Sequence, residues 1–267
     1  MSSRAPTVQL GSVVYSDGVS LDDPAETFHE AAKLSRSTAG AGARGIRLLE
    51  ANPELQLSVS RAGRRHPHRP QLPLPEPAFP PVSLDRALAT RCSQAPVSNS
   101  RLTLVELATL VYALDGRRDD GHRTIPSGGA LYPLELYVFA SRVDGAPTGI
   151  HHFDPVRSSL ECLPGNPDHL RSALVDRALA EAPAVLAITG AFWRSRFKYG
   201  QRGYRFTLLE AGHAMQNAVL AASALGLAAL PIGGYYDGIV DELLGLNGVD
   251  ESTIYLLAVG GAAEAPT

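Results

Sequence analysis

Lys198 and Tyr199 stand side by side in the polar segment Arg196-Phe-Lys-Tyr-Gly-Gln-Arg-Gly-Tyr-Arg-Phe206, which also carries Arg202, Tyr204 and Arg205. An ammonium next to a phenol lowers the phenol's pKa, and a desolvated lysine can itself act as a base near neutral pH. The pair could therefore move a proton, although a surface lysine beside a half-buried tyrosine is the commoner meaning of an isolated Lys-Tyr. Downstream, Leu208, Leu209, Met215, Val219, Leu220 and Leu227 are spaced for one apolar helix face ending near Gly226. A reactive loop ahead of a buried helix is expected. Leu230-Pro-Ile-Gly-Gly234 then reads as a chain break, where Gly233 and Gly234 would let a flat ligand approach the backbone because no Cβ intervenes.

Other candidate groups carry less. Ser127-Gly128-Gly129, inside Ile125-Pro-Ser-Gly-Gly-Ala-Leu-Tyr-Pro133, could form a nest of amides for an anion, but it lacks the Lys-Ser/Thr of a P-loop and the dinucleotide spacing. His151-His152 and His66-Pro-His68 have no i, i+4 partner or carboxylate in helical register, so they read as surface histidines and no metal site is expected. Glu210 and His213 fall three apart on the long helix and read as structural polar groups. Cys92 follows Arg91, yet a small buried thiol is the simpler reading.

The elements that must position these residues belong to a folded chain of 267 residues, 45% of them hydrophobic. A formal charge of −3 offers no field for nucleic acid or anionic membrane. The two cysteines, Cys92 and Cys162, exclude a disulfide framework and suit a reducing cytoplasm, and the most apolar run, Ala218 to Ile232, is too short to span a membrane.

Residues 1–82 read as an N-terminal arm and connector. A weak strand is expected around Thr7 to Tyr15, and a helix opening at Asp23-Pro24 is expected to run through Glu26 to Arg36. Ser37 to Gly45 is glycine-rich, Ile46 to Val59 looks weakly ordered, and seven prolines between His66 and Pro81 favour an extended connector. From residue 83 to 267 a single α+β domain is expected. Ser83 caps a helix through Thr90, and Thr103-Leu-Val-Glu106 is a capping box opening a helix to Leu114. Strands are expected at Leu134–Ser141, Pro183–Thr189 and Ser252–Val259, with a hairpin at Ile150–Asp154 and Ser159–Leu163 and a helix from Asn166-Pro167 to Glu181.

Taken together, Pro126-Ser-Gly-Gly-Ala-Leu-Tyr-Pro133, Lys198-Tyr-Gly-Gln-Arg-Gly-Tyr-Arg205, Leu209-Glu-Ala-Gly-His213, Gln216-Asn217 and Ala222 to Gly226 resemble the SagB/ThcOx-type azoline dehydrogenases of the nitroreductase superfamily. The likeness covers about residues 83 to 261, with an echo in Phe28-His-Glu-Ala-Ala-Lys33. It implies a nitroreductase-like FMN-binding fold with a mixed central sheet flanked by helices, and a homodimer holding flavin at the subunit interface. By the same resemblance Arg91 and Ser93 would contact the flavin phosphate, Pro126, Ser127, Gly128 and Gly129 would reach the flavin across the interface, and Pro231, Ile232, Gly233 and Gly234 would line its ring. Lys198 and Tyr199 would be the catalytic pair.

The activity so implied is oxidation of thiazoline or oxazoline rings to azoles in a peptide or small heterocyclic substrate, in natural-product biosynthesis. That reaction removes a proton from one ring carbon and a hydride from its neighbour, and flavin accepts a hydride; either Lys198 or Tyr199 could be the base. Cys92 and Ala95 stand where the family often carries basic residues, and Gly260 to Thr267 lacks a basic residue after the last strand, each lost phosphate pair costing about 1–3 kcal/mol. Two alternatives follow. One is a general nitroreductase-like NAD(P)H oxidoreductase; the other is a flavin-free scaffold docked to a cyclodehydratase or carrier protein.

Overall fold

The computed structural model describes residues 23–34, 36 and 39–262. The strand expected at Thr7–Tyr15 and the chain beyond residue 262 lie outside the described residues.

A seven-stranded sheet forms the centre, in the order β1 (Gln71–Pro73), β6 (Ser159–Leu163), β5 (Gly149–Asp154), β3 (Leu134–Ala140), β7 (Ala184–Ala191), β9 (Glu251–Gly261), β8 (Leu227–Ile232). Every neighbouring pair in it is antiparallel, so the sheet is not the mixed one expected. The reason is where β9 enters. Strands β7 and β8 run the same way but never pair, because β9 inserts between them antiparallel to both. The one parallel pairing among the described residues is the two-residue ladder of β2 (Leu102–Thr103) with β4 (Val143–Asp144).

Both faces of the sheet are covered, and side-chain alternation divides the core accordingly. On one face Leu134, Leu136, Val138, Leu186 and Ile188 pack against α5 (Leu104–Asp115) and α8 (Gln201–Ala224). Thr103 and Glu106 close the expected capping box that opens α5. Alanines 211, 214, 218 and 222 of α8 are buried against the sheet, and such small side chains permit close approach. On the other face Tyr137, Phe139, Val185 and Leu256 meet α6 (Leu170–Ala173) and α9 (Asp237–Leu244).

Several local expectations change with tertiary context. The polar segment around Lys198 is not a loop: α7 (Phe192–Tyr199) ends at Gly200, whose φ of 58° reverses the chain into α8. Pro231 does not break the chain, since β8 is an edge strand on which the missing N–H costs no ladder bond. The helix expected from Asn166 to Glu181 is interrupted where Leu174 turns extended and bridges Tyr235. Part of the proline-rich connector is strand β1, paired to β6.

Ahead of β1, α1 (Pro24–Ala31) is capped by Asp23 as expected but stops well before Arg36. The stretch expected to be weakly ordered forms α2 (Ala39–Glu50) and α3 (Pro53–Ser60). Burial against α7, not intrinsic propensity, explains these helices: Leu49 and Val59 pack with Leu131 and Tyr199. The helix capped by Ser83 is α4 (Leu84–Thr90).

Candidate active site

Lys198 and Tyr199 form the last turn of α7 and are both half-buried. A Cβ built on Gly129 would stand 2.6 Å from the Tyr199 hydroxyl and 2.9 Å from Lys198 Nζ. Both reactive side-chain tips therefore converge on one glycine of the Pro126–Gly129 turn, within the same chain. Lys198 Nζ lies 5.5 Å from the centre of the Tyr199 ring. Phe206 holds that ring edge to face at 5.0 Å and also closes over Gly128.

The turn is held in a costly conformation. Gly129, Ala130 and Tyr132 have φ of 70°, 53° and 46°, and for the last two that region is disfavoured by the side chain. Ser127 Oγ accepts from Tyr132 N at 2.9 Å, and Arg194 donates to the Tyr132 carbonyl at 3.0 Å. Beneath it, Glu210 on α8 is buried, and burial raises its carboxyl to about 8 against the opposing pull of the Ser127 hydroxyl and the Gly128 amide. Burial thus favours the protonated form of this side chain behind the turn. The sequence showed Glu210 only as a structural polar group; its contact with Ser127 is through space and left no local signal.

The arm completes the surroundings. A Cβ on Gly45 of α2 would lie 2.2 Å from the Phe197 carbonyl oxygen and 2.9 Å from that of Lys198, so only glycine fits against the backbone of the last turn of α7. Gln56 Nε2 donates to the Gly129 carbonyl at 3.4 Å. Arg202 donates to the Ala32 carbonyl at 3.0 Å, and Phe28 meets Tyr204 edge to face.

Arg91 and Ser93 sit elsewhere. They follow α4, whose Thr90 hydroxyl lies 3.1 Å from Ser223 near the far end of α8, while Gln94 N donates to the Ala229 carbonyl of β8. From Glu210 to Ser223 is roughly 20 Å along the helix axis at 1.5 Å per residue. Pro231 and Ile232 continue β8, and Gly233 and Gly234 follow it; a Cβ on Gly233 would meet nothing within 4 Å. Arg91 has no ion pair among the described residues. The structure thus brings Arg91, Ser93 and β8 together on one flank and Pro126–Gly129 with Lys198 and Tyr199 on another. A cation, a hydroxyl and an open glycine at a sheet edge fit a phosphate-bearing flat ring such as FMN. Cys92, expected to be buried, is exposed, because the chain leaves α4 extended along the edge of β8.

The histidines expected at the surface are also corrected. His151 and His152 are buried because β5 is an interior strand covered on both faces. His152 lies between two carboxylates, Nδ1 at 2.9 Å from Glu161 and Nε2 at 3.0 Å from Glu135, and Glu135 pairs in turn with buried Arg194. Burial opposes charge on Glu135, but Arg194 and His152 win and hold it at about 2. Burial likewise opposes the imidazolium of His152, and its two carboxylate partners still raise its pKa. His66, His152 and Glu161 offer three ligand atoms within 4.8 Å of one another. A cation there would have to break the His152–Glu161 hydrogen bond, so the group as it stands is an ion-pair latch joining the arm to the sheet. His66 N and Arg64 N donate to its two glutamates. His213 is exposed.

No helix among the described residues is long and apolar enough to cross a membrane. Residues 88–261 match the Nitroreductase family. The MJ1384 protein of Methanocaldococcus jannaschii, named as a nitroreductase, is 35% identical over 192 residues, covering 70% of this chain and 96% of that protein. The microcin B17-processing protein McbC of Escherichia coli is 34% identical over 145 residues, covering 51% of this chain but only 52% of its own length. Among solved structures, the E. coli microcin synthetase McbBCD complex with truncated pro-MccB17 bound contains a chain that matches with TM-score 0.60 at 21% identity, over 97% of this chain and 100% of that one. The chain belongs to the nitroreductase family.

Proposed function

We propose that the protein is an FMN-dependent dehydrogenase that oxidises azoline rings to azoles in a peptide, acting as a homodimer. The observation that carries this reading is the convergence of Lys198 Nζ and Tyr199 Oη on Gly129, a proton-handling pair at a strained glycine turn. The likeness to the microcin-processing protein points to a peptide as the substrate.

Arg91 and Ser93 would hold the phosphate, and Pro231–Gly234 would lie along the ring. Bound flavin supplies a hydride acceptor. The chain's own residues do the rest: either Tyr199 as phenolate, its charge held by the Lys198 ammonium until it takes the ring proton, or Lys198 as the free amine, serves as the base. Phe206 and Leu131 pack against the Tyr199 ring and fix its position.

The separation along α8 favours a site shared between two chains. One chain supplies Arg91, Ser93 and the edge of β8; the turn and the catalytic pair come from its partner. Gly212 supports this arrangement. It lies in mid-α8, exposed, with nothing within 4 Å of its Cβ position, and a mid-helix glycine costs about 0.5–1 kcal/mol that no contact among the described residues offsets. Leu84, Leu88 and Leu209 are exposed at 68%, 54% and 55%, so α4 and α8 present apolar surface for a second copy.

The test is purification in yellow form with releasable FMN, followed by conversion of a thiazoline peptide with loss of two hydrogen atoms per ring by mass spectrometry. The broader likeness to the archaeal nitroreductase favours a second reading, NAD(P)H-dependent reduction of nitro compounds or quinones. Rapid nitroaromatic reduction with NAD(P)H, without azoline oxidation, would select it.

A further inference from the structure

A cavity of about 890 Å³ opens on the other side of the strained turn, walled by Ala130 and Tyr132 and by arginines from two separate parts of the chain. Arg61, Arg64 and Arg65 come from the arm after α3, while Arg117 and Arg123 come from the hairpin after α5. Two of these are already paired: Arg64 with Glu251, and Arg123 with Asp115. Of the acids in the wall, Asp120 pairs with Arg118 and Asp154 with Arg157. Arg61, Arg65 and Arg117 have no ion pair among the described residues, against Asp119 alone in the same state. A concave site with surplus guanidinium groups selects carboxylates, whose two oxygens each forked guanidinium can meet with two parallel N–H donors.

From this arrangement we propose that the cavity binds an acidic segment of the peptide substrate and so delivers the neighbouring ring to the catalytic pair. The proposal rests on the dehydrogenase reading for the word substrate, but its geometry is independent of flavin. Ala130, in the cavity wall, is bonded to Gly129, on which Lys198 and Tyr199 converge; adjacent Cα atoms are about 3.8 Å apart. A chain leaving the cavity over Ala130 therefore reaches the pair without a detour. The volume lies at the upper end of the roughly 300–1,000 Å³ of ligand pockets, suited to several residues rather than one small anion. The net charge of −3 provides no wider basic face for nucleic acid.

The experiment uses the full chain and fluorescence anisotropy with three labelled probes: an Asp/Glu-rich decapeptide, its Asn/Gln counterpart, and a single-stranded oligonucleotide of equal charge. The acidic peptide should bind, more weakly as salt rises, and the variant Arg61→Glu/Arg65→Glu/Arg117→Glu should weaken it about tenfold or more. FMN content and turnover of a small free thiazoline should be unchanged in that variant. Single Arg65→Gln and Arg117→Gln changes, with folding checked by circular dichroism, serve if the triple variant does not fold, each expected to weaken binding measurably. Equal binding of the neutral peptide, tighter binding of the oligonucleotide, or wild-type affinity in the variants would overturn the proposal. Charge-dependent binding of the acidic peptide by a protein that takes up no FMN would instead overturn the dehydrogenase reading and leave the acid-binding cavity standing.

Discussion

Gly129 sets the distance between the turn and both reactive side chains, so adding a single methyl group there is the most local perturbation of the proposed chemistry. Gly129→Ala would place a carbon within 2.9 Å of both tips and force a left-handed φ on a non-glycine residue. It should cut turnover at least tenfold with FMN still bound. Glu210 makes a separate prediction through its proton. Its carboxyl is raised to about 8, so between about 4.5 and 8 the folded state keeps a proton that the unfolded state loses. Its contribution to stability therefore falls as pH rises through that window, with a slope approaching about 1.4 kcal/mol per pH unit. Glu210→Gln should remove that part of the pH dependence, seen as a difference in melting temperature between the two proteins that grows from pH 5 to 8. The Lys198-Tyr199 pair was legible because its neighbours in sequence are its neighbours in the motif. Glu210 was not, because its meeting with Ser127 joins positions far apart in the chain.

The arm helices are elements whose role rests on tertiary contact. Ala39–Glu50 is glycine-rich and showed little helical promise, yet Gly45 lets α2 lie directly on the α7 backbone at Phe197 and Lys198. Gly45→Ala should cost about 1–3 kcal/mol by overpacking and lower kcat more than KM, since it displaces the catalytic turn rather than a binding surface. Thermal unfolding with steady-state kinetics checks both parts. Strand β5 teaches a similar lesson. His151-His152 looks polar in one dimension, but an interior strand buries it and gives His152 two carboxylate partners. His152→Ala should destabilise the fold by about 3–5 kcal/mol, because the two glutamates lose the cation between them. The latch also predicts a pH window. Glu135, lowered from 4.5 to about 2, contributes stability that is present above 4.5 and lost as pH falls toward 2. His152, raised above 6.5, contributes stability that is full below 6.5 and lost as pH rises through its higher folded value. The elements that were legible, such as the capped α5 and the β5–β6 hairpin, are those whose signals are local. The antiparallel sheet and the broken helix at Leu174 depend on which strand inserts where.

At the scale of the whole molecule the proposed reaction calls for two chains, because Arg91 and Ser93 lie near Ser223 of α8 while Lys198 and Tyr199 lie near Glu210. Gly212→Trp should fill the open space on that helix, yield a monomer by light scattering, and lose FMN with it. Arg91→Ala should release FMN first and lose activity only as a consequence, with the dimer intact. The most direct measurement of the central claim is the dehydrogenation rate of a thiazoline peptide by wild type, Lys198→Ala and Tyr199→Phe at equal bound FMN. The wild type should convert the peptide and at least one of the variants should lose roughly 10²–10⁴-fold, the value of general-base assistance. Full turnover in both variants, or no conversion by FMN-loaded wild type, would contradict it.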